Sequence, residues 1–235
     1  MAVSYASLQL SLEAGLEAAQ ERIIYAVTAC MDRQGMIPCD KGNAERTVAF
    51  VRTEKGWAVF DDCADRLDIA ALDQLGKGLT HGLHSRAVGV MRSAGGTMLK
   101  LYGEGRVRDT YMSPAAAFGK RRGCWLRCRG HALRWRLHLA PGCSLKELTA
   151  LFIRGETDEQ GIFEEICGAL DLDESAEYGF ASLEDAGLQG VVRLYFRASN
   201  LIKQRLWDKP WKLARYMGST VGVFFHRRAS GTKGK

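Results

Sequence analysis

The residues able to do chemistry fall in a few short stretches. Asp109 and Tyr111 stand two apart in a strand-like run that ends at Ser113. Side chains at i and i+2 of a strand point the same way, so an acid beside a phenol can form a hydrogen-bonded polar site. The competing expectation is that Asp109 accepts hydrogen bonds from a neighbouring loop and locks the end of a sheet. Cys124, Cys128 and His131, with His138 and Cys143 beyond, supply soft ligands, but they lack the tight C-x2-C knuckle or paired histidines of ordinary zinc motifs. Cysteines alternating with Trp125, Leu126 and arginine are expected instead to mark a strand that buries its thiols, and no cofactor is expected. The surrounding segment carries Lys120, Arg121, Arg122, Trp125, Arg127, Arg129, Arg134, Trp135 and Arg136. Arginine interleaved with tryptophan suits phosphate neutralisation with base stacking. Asp61-Asp62 and His81/His84 offer an acid and a base, yet a turn and a helix end explain both. There is no phosphate-cradling glycine loop, nucleophile elbow or metal-ligand pair on a helix, so no catalytic residue is assigned.

Charge is distributed in blocks. The net charge is +6 over 235 residues. No acidic residue occurs from Thr110 through Lys146, acids such as Glu156, Asp158, Glu164 and Asp171 dominate between Gly155 and Gly187, and Asp208 is the lone acid after Gly190. Such blocks pair with each other or attract an anionic partner. Their matching lengths favour pairing of the basic segment with acidic helices at 156 to 177.

Hydrophobic residues make up 46% and charged residues 26%, which fits a folded globular chain and not wholesale disorder. No apolar run reaches the roughly 18 to 20 residues of a membrane-spanning helix, and the N-terminus lacks the basic start and apolar stretch of a secretory signal. The seven cysteines, odd in number and irregular in spacing, fit reduced thiols. A cytoplasmic location without membrane contact is therefore expected.

The elements that must position these residues are legible as periodicities. Ser4 to Leu10 alternate like a strand, and Ser11 can cap a helix whose stripe is Leu12, Leu16, Ala19, Ile23, Val27 and Met31. Gly35 to Asn43 reads as a loop. Arg46–Arg52 and Gly56–Phe60 form a hairpin. Asp68 caps a second amphipathic helix running through Leu72, Leu75, Leu79 and Leu83, and Ala87–Met91 is a short strand. Strand, helix, strand, strand, helix, strand is the split βαβ order of ferredoxin-like domains, with both helices on one face.

The hairpin from Thr97 to Met112 extends that sheet. A three-residue loop with Gly105 in the left-handed conformation pairs Leu101 with Val107 and Thr97 with Tyr111. Leu99, Leu101, Val107 and Tyr111 then share the core face with Asp109, while Lys100, Tyr102, Arg106 and Arg108 face solvent. Further on, Ser144–Glu147 and Thr157–Gln160 are capping boxes, the second opening a helix with Ile162, Phe163, Ile166 and Leu170 on its apolar side. A short helix near Glu174–Tyr178, strands at Val191–Phe196 and Thr220–Phe225, a helix interrupted by Pro210 within Leu201–Met217, and a disordered tail complete the chain.

The hairpin resembles one in a family of uncharacterised bacterial cytoplasmic proteins, where a strand, an x-x-Gly loop and a second strand end in Asp-x-Tyr-Asn-Ser. Leu101-Tyr102, Gly105, Val107, Asp109, Tyr111 and Ser113 carry the match, which extends back through Gly56–Phe60 with Asp61-Asp62 and forward to Ala169–Leu172 and Tyr178–Phe180. Met112 replaces the asparagine, and Arg92-Ser93-Ala94 replaces an acidic Asp-Ser-Asp. The resemblance implies a fold and no established activity.

The expectation is an α+β protein: a ferredoxin-like βαββαβ core over residues 1–113, extended by a β-hairpin, and a basic/acidic, mostly helical part over residues 114–235 that packs on it. Its expected role is noncatalytic, as an interaction or regulatory module for a protein partner. The alternative is nucleic-acid binding through residues 120–136 and the basic C-terminal tail.

Overall fold

The computed structural model describes residues 4–12, 16–93, 96–113, 128–155 and 162–199. Within them lie an eight-stranded antiparallel sheet and five α-helices. The strands are β1 (Tyr5–Ser11), β2 (Met36–Pro38), β3 (Arg46–Thr53), β4 (Gly56–Asp61), β5 (Arg86–Ser93), β6 (Gly96–Gly103), β7 (Arg106–Ser113) and β8 (Val192–Ala198). The helices are α1 (Leu16–Arg33), α2 (Ile69–Gly82), α3 (Ala132–Trp135), α4 (Leu145–Arg154) and α5 (Ile162–Ala169). The α+β class is as the sequence indicates. The sheet, however, is larger than the six strands expected of a βαββαβ unit and its hairpin. The segment read as a loop contains β2, and the C-terminal half contributes β8, which inserts between β2 and β3.

The sheet runs in the order β2-β8-β3-β4-β1-β5-β6-β7. One face is covered by α1 and α2, whose apolar stripes pack on Leu8, Leu10, Phe50, Trp57, Val59, Met91, Met98 and Tyr102. Asp68 caps α2, accepting from the amides of Ala70 and Ala71. The other face is also covered. Helices α3, α4 and α5 close the β5-β6-β7 end, and residues 178–191 pack on Ala49, Val51, Ala58 and Phe60 at the opposite end. A sheet hidden on both sides explains why β6 is buried along its whole length.

The hairpin register differs from the expected one. Glu104 and Gly105 both have positive φ, 53° and 71°, and form a two-residue loop between Gly103 and Arg106, the geometry that suits the right-handed twist of paired strands. A bulge follows, so that Tyr102 pairs with Val107, Leu101 with Asp109, and Leu99 with Tyr111. The extra residue, Arg108, shifts the side-chain alternation by one. Val107 therefore packs toward α1 and α2, whereas Asp109 and Tyr111 turn to the α3–α5 side. Lys100 and Tyr102 are not solvent-facing. They lie beneath α2, and Asp73 accepts from the Lys100 ammonium at 2.6 Å and from the Tyr102 hydroxyl at 2.8 Å.

Tyr102 fits because two glycines make room for its ring. A Cβ added to Gly76 of α2 or to Gly89 of β5 would lie 2.8 Å from Tyr102 Cε2. The ring is fully buried and cannot retreat. Replacement Gly76→Ala is accordingly expected to destabilise the protein by about 1–3 kcal/mol, the usual range for overpacking, as a lower urea midpoint with unchanged slope. An unchanged midpoint would show that the ring is not held there.

The Thr157–Gln160 capping box, Leu201–Met217, Thr220–Phe225 and the tail lie outside the described residues, as do Lys120, Arg121, Arg122, Cys124, Trp125 and Arg127.

Candidate anion-binding groove

Asp109 is buried, and its partners are all on the segment that follows β7. Its Oδ2 accepts from the backbone amide of His131 and from Trp135 Nε1, each at 2.6 Å, and Arg134 Nη1 lies 3.5 Å from Oδ1. Gly130 donates to the Thr110 carbonyl at 3.1 Å, and Arg129 bridges to Tyr111, so residues 129 and 130 continue the sheet beyond β7. The Tyr111 ring stacks on Phe152 of α4, with centroids 4.5 Å apart. Ser113 is buried opposite Thr97. The structure thus brings Asp109 and Tyr111 onto one face, as their spacing dictates, but helices cover both. Asp109 anchors a helix and has no open side for a ligand.

Trp135 is fully buried among Phe152, Phe163 and Ile166, so its ring is no stacking surface. The packing of segment 128–138 beside α4 and α5 is made by Ala132 and Trp135. Its charges do something else. Arg134 pairs with Asp109, and among the described residues no hydrogen bond or ion pair joins Arg134 or Arg136 to the acids of α5. The ion pair on that side is Arg154 with Glu165.

Arg134 and Arg136 instead line a groove of about 1520 Å³ at the end of the sheet where the β6–β7 turn, the α2–β5 connection and residues 133–138 meet. Arg22, Arg86, Arg106 and Arg108 line it as well, together with His84 and His138. Glu104 is its single acid among the described residues, and that carboxylate is already paired with Arg108. Three of the arginines are fixed by main-chain carbonyls. Arg22 donates to Leu83 at 3.1 Å, Arg108 to Gly103 at 3.1 Å, and Arg134 to Arg108 at 2.9 Å. Arg86, Arg106 and Arg136 are exposed and make no ion pair among the described residues. Leu133 and Leu137, one helical turn apart, are 64% and 59% exposed beside them. The only aromatic residue lining the groove among the described residues, Tyr102, is fully buried.

His138 is partly buried in the wall, and its Nε2 has no hydrogen-bond partner among the described residues. Burial and, secondarily, the charge of Arg86 lower its pKa from 6.5 to about 4. The imidazole is neutral at pH 7.

The remaining sequence candidates sit apart. Cys128 packs against the core beneath α1 and α2, whereas His131 is exposed, and Cys124 lies outside the described residues. Asp61, Asp62 and Cys63 form the one group of three close potential metal ligands among the described residues. Asp61 is already neutralised there by a buried ion pair with Arg46, which also donates to Gln34 Oε1 at 2.7 Å. Burial, and then the Asp61 carboxylate, push the Cys63 thiol up to about 12, so it is protonated at neutral pH. His81 lies against Gly105 and is separated from Asp61-Asp62 by the length of α2. Sequence reasoning missed Arg22, Arg86, Arg106 and Arg108 as members of one site, because they come from three elements that are far apart in the chain.

Comparison with protein-family models, curated proteins and solved structures returns no match.

Two outcomes follow from this geometry. Asp109→Ala leaves the Trp135 indole N–H and the His131 amide buried without an acceptor, at about 1–3 kcal/mol for each group, and is expected to lower the urea midpoint and shift tryptophan emission to the red. Unaltered emission and midpoint would show that Asp109 is no anchor. For His138, the unfolded state binds a proton near pH 6.5 and the folded state only near pH 4, so its contribution to stability is lost as pH falls between those values. An NMR titration of His138 should place its midpoint well below the other histidines, and a midpoint at or above 6.5 would contradict the assignment.

Proposed function

We propose that this protein is a noncatalytic interaction module whose basic groove takes an acidic, apolar-bearing segment of a partner protein. The observation that carries this reading is the pairing of an arginine-lined groove with two exposed leucines and no accessible aromatic ring. Arginine forks match carboxylates, and an apolar pair at helical spacing gives such a segment something to bury. The four strands β3, β4, β1 and β5, in that spatial order with α1 and α2 on one side, are read as a ferredoxin-like unit enlarged at both edges. The six cysteines described are free thiols, which supports a reducing, cytoplasmic setting.

Nucleic-acid recognition in ferredoxin-like modules stacks bases on the open sheet. That surface is occupied here by α3–α5 and residues 178–191, and Phe50 and Phe60 are fully buried. A polyanion would have to use the groove, without stacking.

The full chain and the charge-reversal variant Arg86→Glu/Arg136→Glu, used as baits in nuclease-treated native lysate, test the reading. A protein recovered by the first, lost with the second, and lost again with Leu133→Ser/Leu137→Ser is the expected result. Recovery of no protein above background, or binding to short RNA or single-stranded DNA that falls steeply with salt and ignores the leucine changes, would overturn it.

A further inference from the structure

The floor of the groove has a narrower chemistry than its rim. Gly103 closes β6 between Arg86 on one neighbouring strand and Arg106 on the other, and the bulged Arg108 folds back over it. A Cβ placed on Gly103 would lie 3.8 Å from Arg86 Cγ, 3.6 Å from Arg108 Cγ and 3.7 Å from Arg108 Nε. The two arginine stems are therefore neighbours above a residue that has no side chain to separate them. Arg108 is held in place by its bond to the Gly103 carbonyl, and its outer nitrogen meets the exposed Glu104 carboxylate. Arg86 has no carboxylate among the described residues, and the neutral, unpartnered His138 nitrogen stands in the same wall.

Resting on the reading of the groove as a site for an acidic protein segment, we propose that its floor, formed by Arg86 and Arg108 around Gly103, is a subsite for a phosphorylated serine or threonine of that segment. A single carboxylate neutralises one guanidinium, and Glu104 already does so for Arg108. Two adjacent guanidinium groups ask for more charge and more acceptors than a carboxylate offers. A phosphate monoester carries a charge of about −1.5 to −2 at neutral pH and three acceptor oxygens, and guanidinium forks bind such oxygens bidentately. Glu104, four residues before Arg108 and mostly exposed, occupies one of these forks until the phosphoryl group replaces it. Among the described residues no accessible ring lies at the floor, which favours a phosphopeptide over a nucleotide, whose base would find no stacking partner among them.

Fluorescence anisotropy with the full chain tests this, using a labelled peptide of alternating acidic and leucine residues with one central phosphoserine and a second peptide with glutamate at that position. The phosphopeptide is expected to bind about tenfold more tightly, the size of the advantage that charge-assisted bidentate bonds give over a single carboxylate contact. Arg86→Ala should bring the two affinities together, Arg86→Lys should restore part of the difference, and Glu104→Gln should tighten the phosphopeptide alone. Millimolar inorganic phosphate should displace the phosphopeptide down to the level of the glutamate peptide. Equal binding of the two peptides to the native chain, or a difference that survives Arg86→Ala, overturns the phosphate subsite while leaving the acidic-segment groove standing. Failure of both peptides to bind overturns the two together. A short RNA that outcompetes the phosphopeptide, and loses that advantage with Arg86→Ala, also overturns the proposal by making the phosphate source a nucleic acid.

Discussion

The buried carboxylate of Asp109 is the point on which the outer wall of the molecule depends. It lies on an edge strand, with its two closest bonds reaching the backbone and the indole of a segment some 22 to 26 residues later in the chain. Those bonds fix α3, and α3 in turn carries Leu133, Arg134 and, through the following turn, Leu137 and His138 to the mouth of the groove. A buried acid is costly unless its acceptors are filled, so the same carboxylate that would destabilise an empty site specifies where this segment must sit. The consequence is a wall with an apolar inner side, made by Ala132 and Trp135, and a cationic outer side.

The β-bulge at Arg108 is what makes that arrangement possible. In a regular ladder from the same turn, Arg108 would pair with Leu101 and Asp109 with Lys100, so the carboxylate would face α2 beside Val107. The bulge restores an apolar residue to each core and leaves the arginine stranded at the turn, where it folds over Gly103. One irregularity in the ladder thus sets both the anchor and the floor of the groove. Bulges commonly re-aim side chains beside functional surfaces, and here the re-aimed pair is Arg108 and Asp109.

Much of the scaffold was legible from periodicity. The two amphipathic helices, the Arg46–Phe60 hairpin, the Asp68 cap and the Ser144 capping box are decided by local chemistry, and each lies where its pattern indicates. The hairpin register was not. A three-residue and a two-residue closure both place Gly105 at positive φ, so local chemistry does not choose between them. β2 is three residues long with a terminal proline and gains its ladder from β8, which lies some 160 positions away, so local propensity carries no trace of it. The described parts of the basic block, residues 128–146, and of the acidic block, residues 162–187, meet through Trp135, Phe163 and Ile166, because desolvating apolar surface outweighs screened surface ion pairs of at most about 1 kcal/mol.

Holding six arginines around one groove is itself a problem in electrostatics, since like charges repel and Glu104 is the one acid among the described residues that line it. The fold answers it with backbone carbonyls. Arg22 caps the C-terminal end of α2 through Leu83, where the helix dipole leaves partial negative charge, and His81 stands in the same last turn. Arg108 and Arg134 take carbonyls at Gly103 and Arg108. Each of these bonds removes one donor and leaves the rest of the guanidinium directed by a fixed stem. Arg86, Arg106 and Arg136 have no such relief among the described residues, and their repulsion is lowest when an anion lies between them. His138 is kept neutral first by burial and second by the same field, through Arg86 beside it. The groove is therefore most favourable when filled by negative charge, and that preference is built into the ends of β5, β6 and β7 before any partner arrives.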